Sequence, residues 1–439
     1  MKNIIRNAVV LALSGYSATS FANTNISSGF EFTGYGRAGI STTSKGGEQY
    51  CFGSGAKGHY TGRLGDECDT YAELGLNKMV VDQNGVQVKV NTMLSYQTDA
   101  GAQFNDYQSV SEPGLNTSKG DVAFRQFNVT AKGMLESAPE ATLWAGKRFY
   151  DRKEVNLLDL FYLNNSGYGA GVEGFKLGTG ELSLAWLTSD EEGYSGKMNT
   201  GSQRVVQINK ADVRYALPLG EDTRLELTAI FGYADATEIQ EAAGEKTDNG
   251  LFLTGELIQH FGELENHFVM QYSSDLLGEA AWRNASGSRS NNTPAWQGSL
   301  ESTLRFIDWG RYKVNSKVEF GYSVIYQQGQ TYDDLNVSET DPTRTSVVLS
   351  GAYTWNDYMT TRLEVGYDNV HESDMVESED LQKVMVSQEW SPLGGLYSRP
   401  TIRFYAGSFF GAQAEKIRIG TSDGEDGNIR FGVQVEASW

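Results

Sequence analysis

Tyr35 and Arg37 stand two residues apart, as do Tyr71 and Glu73. A ring beside an ionised group does no covalent chemistry by itself. It suits reversible contact with a molecule that has an apolar face and a polar rim. The face stacks on the ring, and the rim exchanges its water for donors and acceptors. A pyranose has that shape: one face of C–H groups and an equatorial belt of hydroxyls. A row of such sites, each weak enough to release, would let a saccharide slide. Covalent catalysis has less to work with. No Gly-x-Ser-x-Gly elbow is present. The four histidines (His59, His260, His267, His371) and two cysteines show no metal-ligand spacing. Asp and Glu pairs are abundant, but none sits in a setting that suggests acid–base work. Neither an enzyme nor a cofactor is expected.

The elements that must position these residues are strands. Phe30, Phe32, Gly34, Gly36, Ala38 and Ile40 alternate with Glu31, Thr33, Tyr35, Arg37 and Gly39. The same period of two runs through Tyr71–Leu76, Val86–Asn91, Arg224–Tyr233, Val318–Tyr326 and Leu363–Tyr367. Successive strand side chains point to opposite faces, so each stretch has one apolar and one polar face. Tyr35, Arg37, Tyr71 and Glu73 all fall on the polar side. Between the strands lie long polar stretches, such as Ser41–Gly58, Ser109–Gly120 and Asp235–Asn249, and short breaks such as Asp82–Gly85. Long connections at one end and short ones at the other suit an outer-membrane barrel. At about 23 residues per strand and connection, about 16–18 strands fit, the size that leaves an aqueous lumen.

No run of about 18 apolar residues offers a transmembrane helix. The 39% hydrophobic content is what a barrel that hides its apolar residues at alternate positions would show. A β-sandwich of this length would need several domains, and a propeller should repeat visibly; no blade repeat is seen. Phe431–Trp439 places apolar residues at every second position back from a terminal aromatic, like the closing strand of outer-membrane proteins. A net charge of −20 argues against nucleic acid.

Residues 1–22 read as a signal peptide: Lys2 and Arg6, an apolar Ala8–Leu13, then Ser20-Phe21-Ala22. Residues 23–439 then form one barrel domain outside the cytoplasm. Cys51 and Cys68 read as one bridge across a Gly-rich loop, with two free buried thiols as the alternative.

Several segments resemble the maltoporin-type sugar porins: Gly34-Tyr35-Gly36-Arg37-Ala38-Gly39, Arg63–Leu74, Trp144–Arg152, Gly366–Val370 and Ser398–Arg403. The likeness covers essentially the whole mature chain. It implies an 18-stranded antiparallel transmembrane β-barrel with long external loops, an inward-folded third loop, a homotrimer and passage of oligosaccharides through a Gram-negative outer membrane. It further implies an aromatic slide of Tyr35, Tyr71, Tyr107, Phe161 and Trp355, and an ionic track of Arg37, Arg63, Glu73, Arg125, Arg152, Glu154 and Asp159. Tyr107 would reach into the neighbouring subunit's vestibule. Cys51 and Cys68 match the family's first-loop disulfide.

The chain departs from that pattern in places. Phe161 replaces a constriction tyrosine and so lacks a hydroxyl. Glu265 and Ser438 stand where rings are expected, and the last long external loop is short. Trp355 shares the register of Val347, Leu349 and Tyr353, so a luminal role requires it to lie beyond the membrane strand. These departures leave the choice of saccharide open. Two other readings compete: a general or ion-preferring porin with structural aromatics, and a surface receptor or adhesin built from the external loops.

Overall fold

The computed structural model describes residues 24–26, 29–46, 50–53, 58–98, 120–191, 206–234, 237–238, 248–282, 300–331, 341–371, 378–415 and 429–439. The strands are, in order, β1 (Thr24–Ile26), β2 (Phe30–Thr43), β3 (Tyr71–Gln83), β4 (Val86–Thr98), β5 (Gly120–Lys132), β6 (Thr142–Arg148), β7 (Lys153–Val155), β8 (Leu160–Leu163), β9 (Gly167–Leu177) and β10 (Gly180–Glu191). They continue with β11 (Val206–Pro218), β12 (Thr223–Ala234), β13 (Asp248–Phe261), β14 (Leu264–Asp275), β15 (Leu300–Lys313), β16 (Val318–Thr331), β17 (Thr343–Asn356), β18 (Met359–His371), β19 (Glu379–Trp390), β20 (Thr401–Phe410) and β21 (Arg430–Ser438). Among the described residues, β2–β6 and β9–β21 make an 18-stranded antiparallel sheet, each strand pairing with the next.

The sheet closes where β2 meets β21, from Tyr35↔Ser438 to Thr43↔Arg430. Gly34 and Trp439 exchange two backbone hydrogen bonds of 2.9 and 3.0 Å, and β1 continues the pairing at Thr24↔Phe32. β1 and β21 thus pair with successive stretches of the same strand, β2. Closure leaves no unpaired edge, and every ladder group can be satisfied without water.

Burial is inverted relative to a water-soluble protein. On the outer face Ile40 and Trp186 are each 62% exposed, whereas inside the barrel Arg305 is 0% and Lys383 1% exposed. Apolar side chains turn outward because lipid is their solvent. The ionised ones turn inward, where they find partners.

Two connections at the long-loop end fold back into the cylinder. The first, between β2 and β3, carries a Cys51–Cys68 disulfide with a Cα–Cα distance of 5.8 Å. It lies on the inner wall of β17–β19. Arg344 donates to the Gly58 carbonyl, Ser346 to that of Tyr60, and Lys383 to those of Gly62 and Leu64. Gly366 makes this approach possible, because a Cβ there would collide with the Thr61 carbonyl. The second connection, between β6 and β9, contains the β7–β8 hairpin. Val155, Leu157, Leu160, Tyr162 and Leu163 bury themselves against Ile208, Ile230, Phe252, Val269, Ile307 and Ile325 of the far wall. Polar anchors flank this contact: Arg214 to Asp151 at 2.6 Å, Asn165 to Asp212 at 2.8 Å, and Gln271 to the Tyr162 carbonyl at 2.7 Å. Lys153 inserts between Glu226 and Glu256. Burial opposes its charge, but Glu256 and Glu226 outweigh that and hold the ammonium above its ordinary pKa.

Candidate functional site

The alternation of β2 and β3 aims Tyr35, Arg37, Tyr71 and Glu73 into the lumen, and antiparallel register sets Tyr35 opposite Glu73 and Arg37 opposite Tyr71. The two tyrosine rings stand 6.1 Å apart at 52°, with the Arg37 guanidinium 5.7 Å from the Tyr71 ring. Tyr71 donates its hydroxyl to Glu73. Tyr35 donates to Glu436 of β21 at 2.9 Å.

The hairpin meets this wall. Arg37 binds Asp69 through two parallel bonds of 3.0 Å, Glu67 at 2.8 Å and Asp159 at 2.8 Å. Asp159 belongs to the β7–β8 turn, so this last bond spans the lumen from wall to loop. The first loop joins too: the Arg63 backbone N–H donates to the Leu157 carbonyl at 3.0 Å. The Arg63 side chain reaches Glu67 at 2.5 Å, Glu436 at 3.0 Å and the Tyr35 hydroxyl at 3.2 Å. On the other flank Phe149 has the Arg152 guanidinium 3.4 Å and that of Arg125 5.1 Å from its ring centre. Arg152 also lies 4.6 Å from the ring of Phe161, which pairs with Glu154 across the hairpin.

The two hairpin carboxylates are driven apart in pKa. Burial pushes Glu154 above its ordinary value, and the Asp159 charge adds to that. Burial acts on Asp159 in the same direction, but Arg63 and Arg37 outweigh it and hold that carboxyl below its ordinary value.

Ten sequence-predicted positions therefore converge on one belt where the hairpin meets the inner wall: Tyr35, Tyr71 and Phe161 among the rings, and Arg37, Arg63, Glu73, Arg125, Arg152, Glu154 and Asp159 among the charges. Tyr107 lies outside the described residues. The luminal expectation for Trp355 is corrected. β17 runs to Asn356, so Trp355 is still within the strand. It is 53% exposed, packs edge-on against outward-facing Tyr353 at 4.7 Å, and donates to Thr361 at 2.8 Å. Those are the surroundings of a ring at a membrane–water interface.

Sequence reasoning passed over Phe149, Glu67, Asp69, Glu436 and Arg399. Glu436 accepts from Arg63, from Arg399 at 2.5 Å and from Arg403 at 3.0 Å. The alternation of the last strand, which puts Gln434, Glu436 and Ser438 on the polar face, was signal enough to find it. Phe149 follows β6 directly, in a loop where parity says nothing.

The belt holds rings beside dense, shared hydrogen bonds. A hydroxylated guest can trade one partner for another along it without leaving any charge bare. Among the described residues no group of His, Cys, Asp and Glu could hold a metal ion.

The family model described as LamB porin matches residues 30–439. The chain belongs to the LamB porin family. Its maltoporin relative from Hahella chejuensis is 37% identical over 442 residues, spanning 100% of this chain and 99% of that one. The maltoporin of Photobacterium profundum is 34% identical over 449 residues, spanning 99% of both. Among solved structures, Acinetobacter baumannii OccAB1 aligns with a TM-score of 0.46 and 10% identity over 95% of this chain and 99% of that one. Pseudomonas aeruginosa OpdK with vanillate gives 0.48 and 11% over 93% and 98%. These scores add nothing to the barrel already described. As a LamB porin, the chain is an outer-membrane β-barrel channel of a Gram-negative bacterium and not an enzyme.

Proposed function

We propose that this LamB porin passes maltose, malto-oligosaccharides or closely related saccharides down their concentration gradient, as a homotrimer formed after loss of residues 1–22. The observation that carries the reading is the meeting of Tyr71, Tyr35 and Phe161 with Arg37, Arg63, Arg152, Glu73 and Asp159 at the constriction. The sugar's C–H face travels from ring to ring. Its hydroxyls take up donors from the arginines and acceptors from Glu73, Glu154 and Asp159 in turn. Arg125 and Phe149 extend the same surface beside Arg152. Tyr107 remains a candidate first contact at the external vestibule. Trp355 has no part in the path.

The maltoporin relatives support the substrate class by name. Ion current through the protein in a planar bilayer, titrated with maltotriose, tests the reading. Concentration-dependent, saturable block is expected. Current unchanged at every sugar concentration would leave a general or ion-preferring porin.

A further inference from the structure

The arginines of the belt are of two kinds. Arg37 is held by Glu67, Asp69 and Asp159, Arg63 by Glu67 and Glu436, and Arg399 by Glu436. Among the described residues neither Arg125 nor Arg152 closes an ion pair; each lies instead against aromatic rings. The Arg152 guanidinium is 3.4 Å from the centre of the Phe149 ring and 4.6 Å from that of Phe161. At 3.4 Å a planar group lies face to face on a ring. The N–H donors along its edge then stay free of that ring, and Arg152 is only half-buried, so they can meet a guest.

A bulge in β5 brings the second guanidinium. Met93 of β4 pairs with Gln126, but the next residue, Leu94, pairs with Phe124, so Arg125 is left over. Phe124 and Phe127 are both exposed on the outer wall. The two residues between them therefore turn inward together. Gln126 accepts from the Phe149 N–H at 3.1 Å and fixes the place of that residue, while Arg125 reaches its ring at 5.1 Å. Strict alternation would have sent one of the two into lipid. Nearby acids do little to neutralise the pair of arginines. Glu73 accepts the Tyr71 hydroxyl, and burial disfavours the charged form of Glu154. Burial and the like charge of Arg125 hold the Arg152 guanidinium below its ordinary pKa in spite of both carboxyls.

We propose that Arg125 and Arg152, set about Phe149, receive a carboxylate carried by the guest, so that the channel takes acidic saccharides in preference to neutral ones of the same size. The inference rests on the reading of this porin as a sugar channel and names the class of sugar it favours. A carboxylate meets a guanidinium through two parallel bonds in the plane of both, as Asp69 meets Arg37 at 3.0 Å. Arg37 has spent its donors in this way; Arg125 and Arg152 have not. The charges of both act on the Tyr71 hydroxyl, so a pyranose stacked on that ring holds its substituent within their reach.

The test compares block of the bilayer current by maltitol and by maltobionate, with maltotriose as the reference sugar. The first two are alike except that a CH2OH group of maltitol is a carboxylate in maltobionate. At about 0.1 M salt, wild type is expected to bind maltobionate about three- to tenfold more tightly than maltitol, and about 1 M salt should erase most of the difference. Arg125→Gln and Arg152→Gln should each lower that ratio at least about twofold, and together bring it to about one. Because the ratio is read, a general loss of sugar binding does not imitate the result. Arg125 belongs to a barrel strand and Arg152 to the hairpin, so one variant serves if the other does not fold. If maltotriose blocks wild type but the two disaccharides bind alike, or maltitol binds better, the acidic preference is refuted while the sugar reading stands. A preference that both variants leave unchanged would place the anion elsewhere and also refute it. A wild-type channel that none of the three blocks would instead refute the sugar reading.

Discussion

Lys153→Met tests whether the β7–β8 hairpin is pinned. Lys153 is 8% exposed and bonds both Glu226 and Glu256, the second at 2.5 Å. Methionine keeps the length and apolar stem but removes the cation, which leaves two carboxylates facing an apolar group. Breaking a buried pair by removing one partner costs about 3–5 kcal/mol. Glu256 keeps the Tyr162 hydroxyl at 2.9 Å and His267 at 2.7 Å, and Glu226 keeps Arg224 at 2.8 Å. A loss of about 2–3 kcal/mol from the closed hairpin is therefore the reasonable expectation. That corresponds to about 30- to 150-fold faster opening-limited amide exchange. The assay is hydrogen exchange of the backbone amides of 153–163 in the folded protein, with exchange in β12 and β13 as the internal reference. The barrel stays folded, because Arg214–Asp151, Asn165–Asp212 and the apolar contacts remain. Lys153→Arg should restore most of the protection. Hairpin amides that exchange at the wild-type rate in Lys153→Met would show that the ion pair does not hold the loop.

Three further outcomes are expected. Tyr71→Ala weakens maltotriose block about fivefold, the worth of one stacking contact of about 1 kcal/mol, whereas Tyr71→Phe stays within about twofold; equal losses would assign the effect to the bond with Glu73. Asp66, in the first loop, accepts from the Phe52 and Gly53 N–H groups at 2.8 Å each, yet burial pushes its carboxyl from 3.8 up to about 6. A raised acid favours the folded loop in its protonated form, so a contribution on the order of 3 kcal/mol is present below pH 4 and is lost as pH rises through about 6. Protease resistance of residues 44–70 should fall across that window, and Asp66→Asn should abolish the pH dependence. Gly366→Val should push the first loop off the β18 wall at a cost of about 1–3 kcal/mol, seen as cleavage within 44–70. Gly255→Val, whose Cβ would meet only Leu227 at 3.7 Å, should leave that cleavage unchanged.

The barrel was legible because period-two alternation is local. Each strand states its two faces without reference to any other, and the final strand states its role as a closing element. The positions of Tyr35, Arg37, Tyr71 and Glu73 follow from that alone. The loops were less legible. The first loop lies inside because Lys383, Arg344 and Glu364, some 300 residues away in the chain, take up its backbone groups. No local pattern carries such information. The hairpin likewise depends on Lys153 finding Glu226 and Glu256. Phe149 was missed for the same reason, since a loop has no parity. Trp355 shows the converse. Its register with Val347, Leu349 and Tyr353 pointed outward, and family likeness overrode a physical signal that the structure upholds. Glu436 was within reach of the parity rule applied to the last strand.

A crystal soaked with maltotriose tests the sugar path most directly. The expected result is density for glucosyl rings lying flat along Tyr71, Tyr35 and Phe161, with hydroxyls within hydrogen-bond distance of Arg37, Arg152 and Asp159. Sugar bound elsewhere on the barrel, or a constriction that stays free of it at saturating concentration, would contradict that path.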